Sequence, residues 1–189
     1  MIPELNQSGV LPPFIPERGP TDPAGMAPYR TTITEFVSRY ALSPERITIL
    51  RGLLEYRQKL RAIGINNGFQ WLDGSFVENV ELNRGRPPAD VDLVTFAMRP
   101  TTDLEIWKGI VNDNKELFLP NESKERFKCD AYFVDLNTHP IHVVSNTRYW
   151  FGLFSHQRES YLWKGMVEVP IVCADEDALE LLDRGIGNV

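Results

Sequence analysis

An α/β fold, a mixed sheet flanked by helices, is predicted by three observations. Residues 69–72 are a short apolar run, and 90–94 alternate acidic and apolar residues with the period of a strand. Around them lie segments with helix starts and helical apolar spacing, above all the stretch that opens with Ser43-Pro44-Glu45. The chain has 189 residues, 42% of them hydrophobic, enough for one domain with a proper core. Strands and helices in alternation are the pattern of an α/β domain.

Residues 1–30 hold seven prolines and three glycines with little periodicity, and read as an arm ahead of a domain at 31–189. The arm either packs on the domain, with Leu11-Pro12-Pro13-Phe14 as its anchor, or stays mobile. Thr32 followed by Glu35, then Phe36 and Tyr40, predicts a short helix over 31–40. A longer helix starts at Ser43-Pro44-Glu45. Its stripe of Ile47, Leu50, Leu53, Leu54 and Leu60 runs to about Ile63, opposite a face where Arg51, Arg57 and Arg61 read as solvated. Gly64 and Asn66-Asn67-Gly68 end it.

The densest chemistry lies at 69–96, FQWLDGSFVENVELNRGRPPADVDLVTF. The first apolar run ends in Asp73-Gly74-Ser75. Gly74 allows a tight turn with close backbone approach, and Ser75 reads as the N-cap of a short helix at 76–80. Exposed N–H groups at a helix start favour an anion. A loop at 81–89, with Arg84, Arg86 and two prolines, leads to Asp90 and Asp92. Two residues apart, these carboxylates project from the same face of a strand. Like charges side by side repel, and a cation between them relieves the repulsion. Hard oxygen ligands suit Mg2+, which keeps several waters and completes its shell with substrate phosphates.

Gly74-Ser75 followed by Asp90-x-Asp92 on the next strand resembles the polymerase-β-type nucleotidyltransferase superfamily. The resemblance implies that family's minimal fold, with the serine and turn holding a triphosphate and the two aspartates binding catalytic Mg2+ (or Mn2+). It also implies a third carboxylate on a following strand, which joins the metal site and helps activate the incoming hydroxyl. That strand is expected at 130–136. Asp130 and Asp135 have opposite parity, so only one shares the catalytic face. Asp130 opens the run, as the third aspartate tends to in the family, and is the one favoured. The loop at 81–89 is longer than in the compact form of the motif.

Further along, Thr101-Thr102-Asp103 caps a helix in which Leu104, Trp107, Ile110 and Val111 are spaced for one buried face. Residues 112–128 read as loop or short helix. Ile141-His142-Val143-Val144 reads as a strand, 164–170 as a turn entering a strand, and 177–182 as a terminal helix stopped near Gly185. The aromatic stretch at 148–154 has two readings. Trp150 or Tyr149 is a platform for a base, with Arg148, Arg158 and Lys164 on the phosphates, or the aromatics are core and the basic residues surface. Arg158 and Lys164 lie in turn-like stretches beside the expected sheet and stand as nucleotide-binding candidates. His139, His142 and His156 lack ligand spacing, and His142 in a strand reads as structural.

The net charge of −6 argues against gripping a long nucleic-acid duplex, though not against a nucleotide, since metal ions can carry the positive charge. No apolar run reaches the length of a membrane span, and the first residues lack the regions of a signal peptide. Cys129 and Cys173 show no paired spacing and read as free thiols in a reducing cytoplasm.

A closer resemblance covers most of the chain. Leu11-Pro12-Pro13, Ser43-Pro44-Glu45, Trp71-Leu72-Asp73-Gly74-Ser75-Phe76 and the segment from Tyr149 to Phe154 look like small bacterial nucleotidyltransferase-like proteins of toxin–antitoxin and antiphage defence operons. This implies transfer of a nucleoside monophosphate from an NTP or dNTP to a hydroxyl acceptor, and a protein partner encoded by a neighbouring gene. The small size leaves little room for a template-binding domain, so template-independent transfer is expected. The other expectation is a catalytically silent, antitoxin-like protein that neutralises its partner by docking.

Overall fold

The structure, a computed structural model, describes residues 1–185. The last four residues of the expected domain lie outside that range. Five strands form one mixed sheet. They are β1 (Tyr29–Arg30), β2 (Gly68–Asp73), β3 (Val91–Ala97), β4 (Cys129–Asp135) and β5 (Val167–Pro170), in the spatial order β1-β5-β2-β3-β4. β1 is parallel to β5 and β3 to β4, whereas β2 is antiparallel to both its neighbours.

Helices cover both faces. Helices α1 (Ile33–Tyr40) and α2 (Pro44–Ala62) begin where expected, with Thr32 and Ser43 side chains accepting from the Glu35 and Arg46 amides. They pack Phe36, Leu50 and Leu53 against Leu93 and Ala131 of the sheet in the main core. Gly52 lies in α2 because the chain passes close there: a Cβ would meet Phe127 O at 2.0 Å. On the opposite face Trp71, Val94 and Phe96 meet Trp150 and Phe154. Those two project from α7 (Pro140–Phe154), which resolves Trp150 as core while Tyr149 stays exposed.

Four local expectations are corrected. Residues 141–144 are not a strand but the first turn of α7, and His142 is an exposed helical residue. Pro140 fixes the first helical position and His139 Nδ1 accepts from the Ile141 amide, which outweighs the β-branched composition. Ser75 caps no helix at 76–80. Gly74–Val77 form a single 3-10 turn, and the helix, α3 (Val80–Arg84), starts later under an Asn79 cap and takes in the first part of the expected loop, 81–84. The helix α4 (Leu104–Asp113) is capped by Asp103 as expected but buries no residue, and Leu104 is exposed. Of its apolar set, Trp107 packs on Phe118 and Phe133.

The fourth concerns the arginine face of α2. Arg57 is buried, its guanidinium bonded to both oxygens of Asp175 (2.8 and 2.9 Å) and to Gln70 Oε1 (2.6 Å). Arg61 joins the same carboxylate at 2.7 Å. Of the three, Arg51 alone is exposed, paired with Asp183 at 2.7 Å.

Two short helices, α5 (Lys115–Phe118) and α6 (Pro120–Phe127), fill the stretch before β4, and α8 (Asp175–Asp183) is the last element among the described residues. The N-terminal arm packs on the domain, with Val10 and Leu11 fully buried, and its last two residues are strand β1. Both cysteines are free. Among the described residues no helix is long and apolar enough to cross a membrane.

Candidate active site

The register of three strands sets one acidic row. Asp73 closes β2 and pairs with Asp92 of β3, which pairs in turn with Asp130 of β4. Residues directly opposite across neighbouring strands point to the same face, so all three carboxylates converge at one end of the sheet. Asp90, just before β3 and two residues from Asp92, shares that face. Asp135 lies at the other end of β4, ion-paired with Arg99 at 2.9 Å, away from the row.

The Gly74 turn roofs the row. Gly74 holds φ +79°, and a Cβ there would lie 1.7 Å from Asp92 Oδ2. Backbone therefore presses directly on the carboxylate, an approach only glycine permits. Beside them opens a cavity of about 300 Å³. Of the residues singled out from the sequence, its lining includes Gly74, Ser75, Asp90, Asp92, Asp130, Arg158 and Lys164, but not Arg148, Tyr149 or Trp150.

The cavity also brings together residues that local patterns miss. Arg84 and Arg86, from the segment between the turn and β3, stand with Arg158 at the wall. Lys124 reaches in from α6 and forms an ion pair with Asp90 Oδ2. Asp73 was findable only through strand pairing, and Lys124 only through the packing of α6 on β4. Lys164 corrects its expectation. Its ammonium is 3% exposed and donates to Asp73 Oδ1 (2.9 Å) and Gly74 O (3.3 Å), with Glu78 Oε1 at 3.0 Å. A cation held by two buried carboxylates is not available to a phosphate.

The electrostatics express an excess of negative charge. Burial, then the neighbouring Asp90, Asp73 and Asp130, push the Asp92 carboxyl up to about 7. Burial raises Asp73 to about 6 against the pull of Lys164. Contact with the Asp90 carboxylate, then the charges of Asp90, Asp130 and Asp92, raise the Lys124 ammonium.

These side chains fit a hard divalent cation in donor type and in charge. Asp90 Oδ2 makes no hydrogen bond of good geometry and faces an ammonium instead. Asp92 is held among acids that disfavour its charge. As they stand, no three His, Cys, Asp or Glu side chains among the described residues close around one point. Lys124 occupies the position from which positive charge acts on Asp90.

Residues 3–170 match a family described as a family of unknown function (DUF6932). No curated protein and no solved structure matches the chain.

Proposed function

We propose, for a chain that belongs to this family of unknown function, that the cavity is the active site of a Mg2+-dependent, template-independent nucleotidyltransferase. One observation carries the reading: Asp92 and Asp130 stand in register on adjacent parallel strands, with Asp90 on the same face, against the Gly74-Ser75 turn. The substrate is an NTP or dNTP, and the acceptor is a hydroxyl of a protein side chain or of a growing oligonucleotide signal. Asp90, Asp92 and Asp130 would hold Mg2+, or Mn2+, which when bound supplies charge stabilisation to the attacking and leaving oxygens.

The chain's own residues do the rest. The Gly74-Ser75 amides and the Ser75 hydroxyl orient the triphosphate, and Arg158, joined by Arg84 and Arg86, neutralises it from the wall. Asp130 takes the proton of the acceptor hydroxyl. The acceptor oxygen bonds to the α-phosphorus as the bond to the β-phosphate oxygen breaks, and pyrophosphate leaves. A cytoplasmic setting, and service in antiphage defence or a toxin–antitoxin pair with a partner from a neighbouring gene, belong to the same proposal.

A specific observation also favours a second reading, a catalytically silent protein that docks on its partner: Lys124 pairs with Asp90 where a metal would otherwise supply positive charge. The two separate in one assay. Purified protein is incubated with each α-32P-labelled NTP and dNTP and Mg2+ or Mn2+, with and without the neighbouring gene's product, beside the Asp90→Asn/Asp92→Asn variant. Metal-dependent label on an oligonucleotide or protein, absent from the variant, is the expected result. Label that survives in the variant overturns the assignment, and silence in every arm selects the docking protein.

A further inference from the structure

One buried lysine fastens the segment that carries Arg158 to the floor of the cavity. Residues 155–164 double back as a hairpin-like loop. The Lys164 amide donates to Ser155 O at 2.8 Å, the Gln157 amide to Leu162 O at 3.0 Å, and His156 bridges Trp163. Arg158 lies toward the exposed end of this loop and Lys164 at its base.

From that base the Lys164 ammonium reaches Asp73, the Gly74 carbonyl and Glu78. The second oxygen of Glu78 accepts from Gln157 Nε2 at 2.7 Å, so the carboxylate is shared between lysine and loop. An ammonium offers three donors on a compact head, and here two carboxylates and a carbonyl surround it. Charged hydrogen bonds this deeply buried are stiff, because displacing any partner strands another charge. What they hold matters for the chemistry. Asp73 is the register partner of Asp92, and Gly74 presses on the Asp92 carboxylate.

We propose that Lys164 is the positioning residue of this site. It sets the Gly74-Ser75 turn against Asp92 and, through Glu78 and Gln157, keeps the Arg158 loop aligned with that turn. The inference rests on the nucleotidyl-transfer reading for the identity of the ligand, a nucleoside triphosphate, and on the structure alone for the tie.

The test uses the full chain. Gln157→Ala cuts the tie to the loop and leaves the lysine clamp in place. Two quantities are measured: binding of a Mn2+ complex of a non-hydrolysable ATP or GTP analogue, and the rate of tryptic cleavage after Arg158 without ligand. Gln157→Ala should weaken analogue binding about fivefold or more, and Arg158→Ala on top of it should add less than it does alone. Cleavage after Arg158 should accelerate.

The lysine clamp is tested by Lys164→Met combined with Asp73→Asn and Glu78→Gln, which removes the buried charges together and so protects the fold. That variant should lose turnover at saturating nucleotide, whereas Gln157→Ala should raise KM with kcat largely kept. Unchanged cleavage in Gln157→Ala, or strictly additive losses with Arg158→Ala, overturns the proposal. Wild-type protein that binds no triphosphate overturns the nucleotidyl-transfer reading instead, and the cleavage rates still decide the tie.

Discussion

Gly74 and Asp92 are fitted to each other so closely that a single methyl group on the glycine would overlap the carboxylate, 1.7 Å from Oδ2. Gly74→Ala therefore carries two costs, the strain of a side chain at φ +79° and the displacement of Asp92. Together they should lower stability by roughly 1–3 kcal/mol and abolish metal-dependent transfer. Adding Asp92→Ala empties the space the methyl group needs. Urea melts of the two single variants and the double should then show a combined loss smaller than the sum. Additive losses would show that the contact is not what constrains Gly74.

Lys124 and the metal are rivals for Asp90. The lysine is half exposed, at 51%, so its ion pair acts through a solvated medium and is weak. Replacing it with methionine removes the competing charge and should tighten Mn2+ binding by about threefold to tenfold, as expected for one unit charge near the surface. Manganese titration followed by EPR measures this without any turnover. Affinity that is unchanged or weaker would mean that Lys124 is not a placeholder.

Much of the site could be read from the chain because its determinants are local. The i,i+2 spacing of Asp90 and Asp92 fixes a shared face in any strand, and parity puts Asp130 and Asp135 on opposite faces, although the choice of Asp130 rests on its place at the start of the run and on the family resemblance. Gly74 stands out as a turn residue wherever a strand must end abruptly. Long-range partners are what a local pattern lacks. On a helical wheel Arg57 belongs to a basic face, and only the arrival of Asp175 from the end of the chain makes that face interior. The sign of Lys164 was legible, whereas its engagement by Asp73 and Glu78 was not. Residues 141–144 show a tertiary override: β-branched composition favours a strand, but Pro140 and the docking of Trp150 and Phe154 on the sheet make a helix.

Two arginines of α2 give a direct comparison of buried and exposed ion pairs. Arg57 and Asp175 are 1% and 5% exposed, so Arg57→Ala leaves a buried carboxylate with Arg61 alone and should cost about 3–5 kcal/mol. Arg51 and Asp183 are both exposed at their surface, and Arg51→Ala should change stability by about 0.5 kcal/mol or less. Chemical denaturation of the two variants checks the contrast, and comparable losses would refute it.

The raised Asp92 carboxyl sets the sign of the pH dependence in metal-free protein. Its folded pKa, about 7, lies above the ordinary carboxyl value of about 3.9 in the unfolded chain. Between those two values the folded state binds the proton more tightly, so stability falls as pH rises through the window. Asp73, raised to about 6, acts in the same direction over a narrower range. In EDTA the protein should thus melt higher at pH 5 than at pH 8, by an amount on the order of 1–3 kcal/mol at most. Asp92→Asn removes the main titrating group and should flatten the profile while raising the melting temperature at pH 8. Saturating Mg2+ should stabilise wild-type protein more at pH 8 than at pH 5, because the cation binds the deprotonated carboxylates. A profile that rises from pH 5 to pH 8 in EDTA would show that Asp92 is ionised at little cost, and that the acidic row does not need a cation.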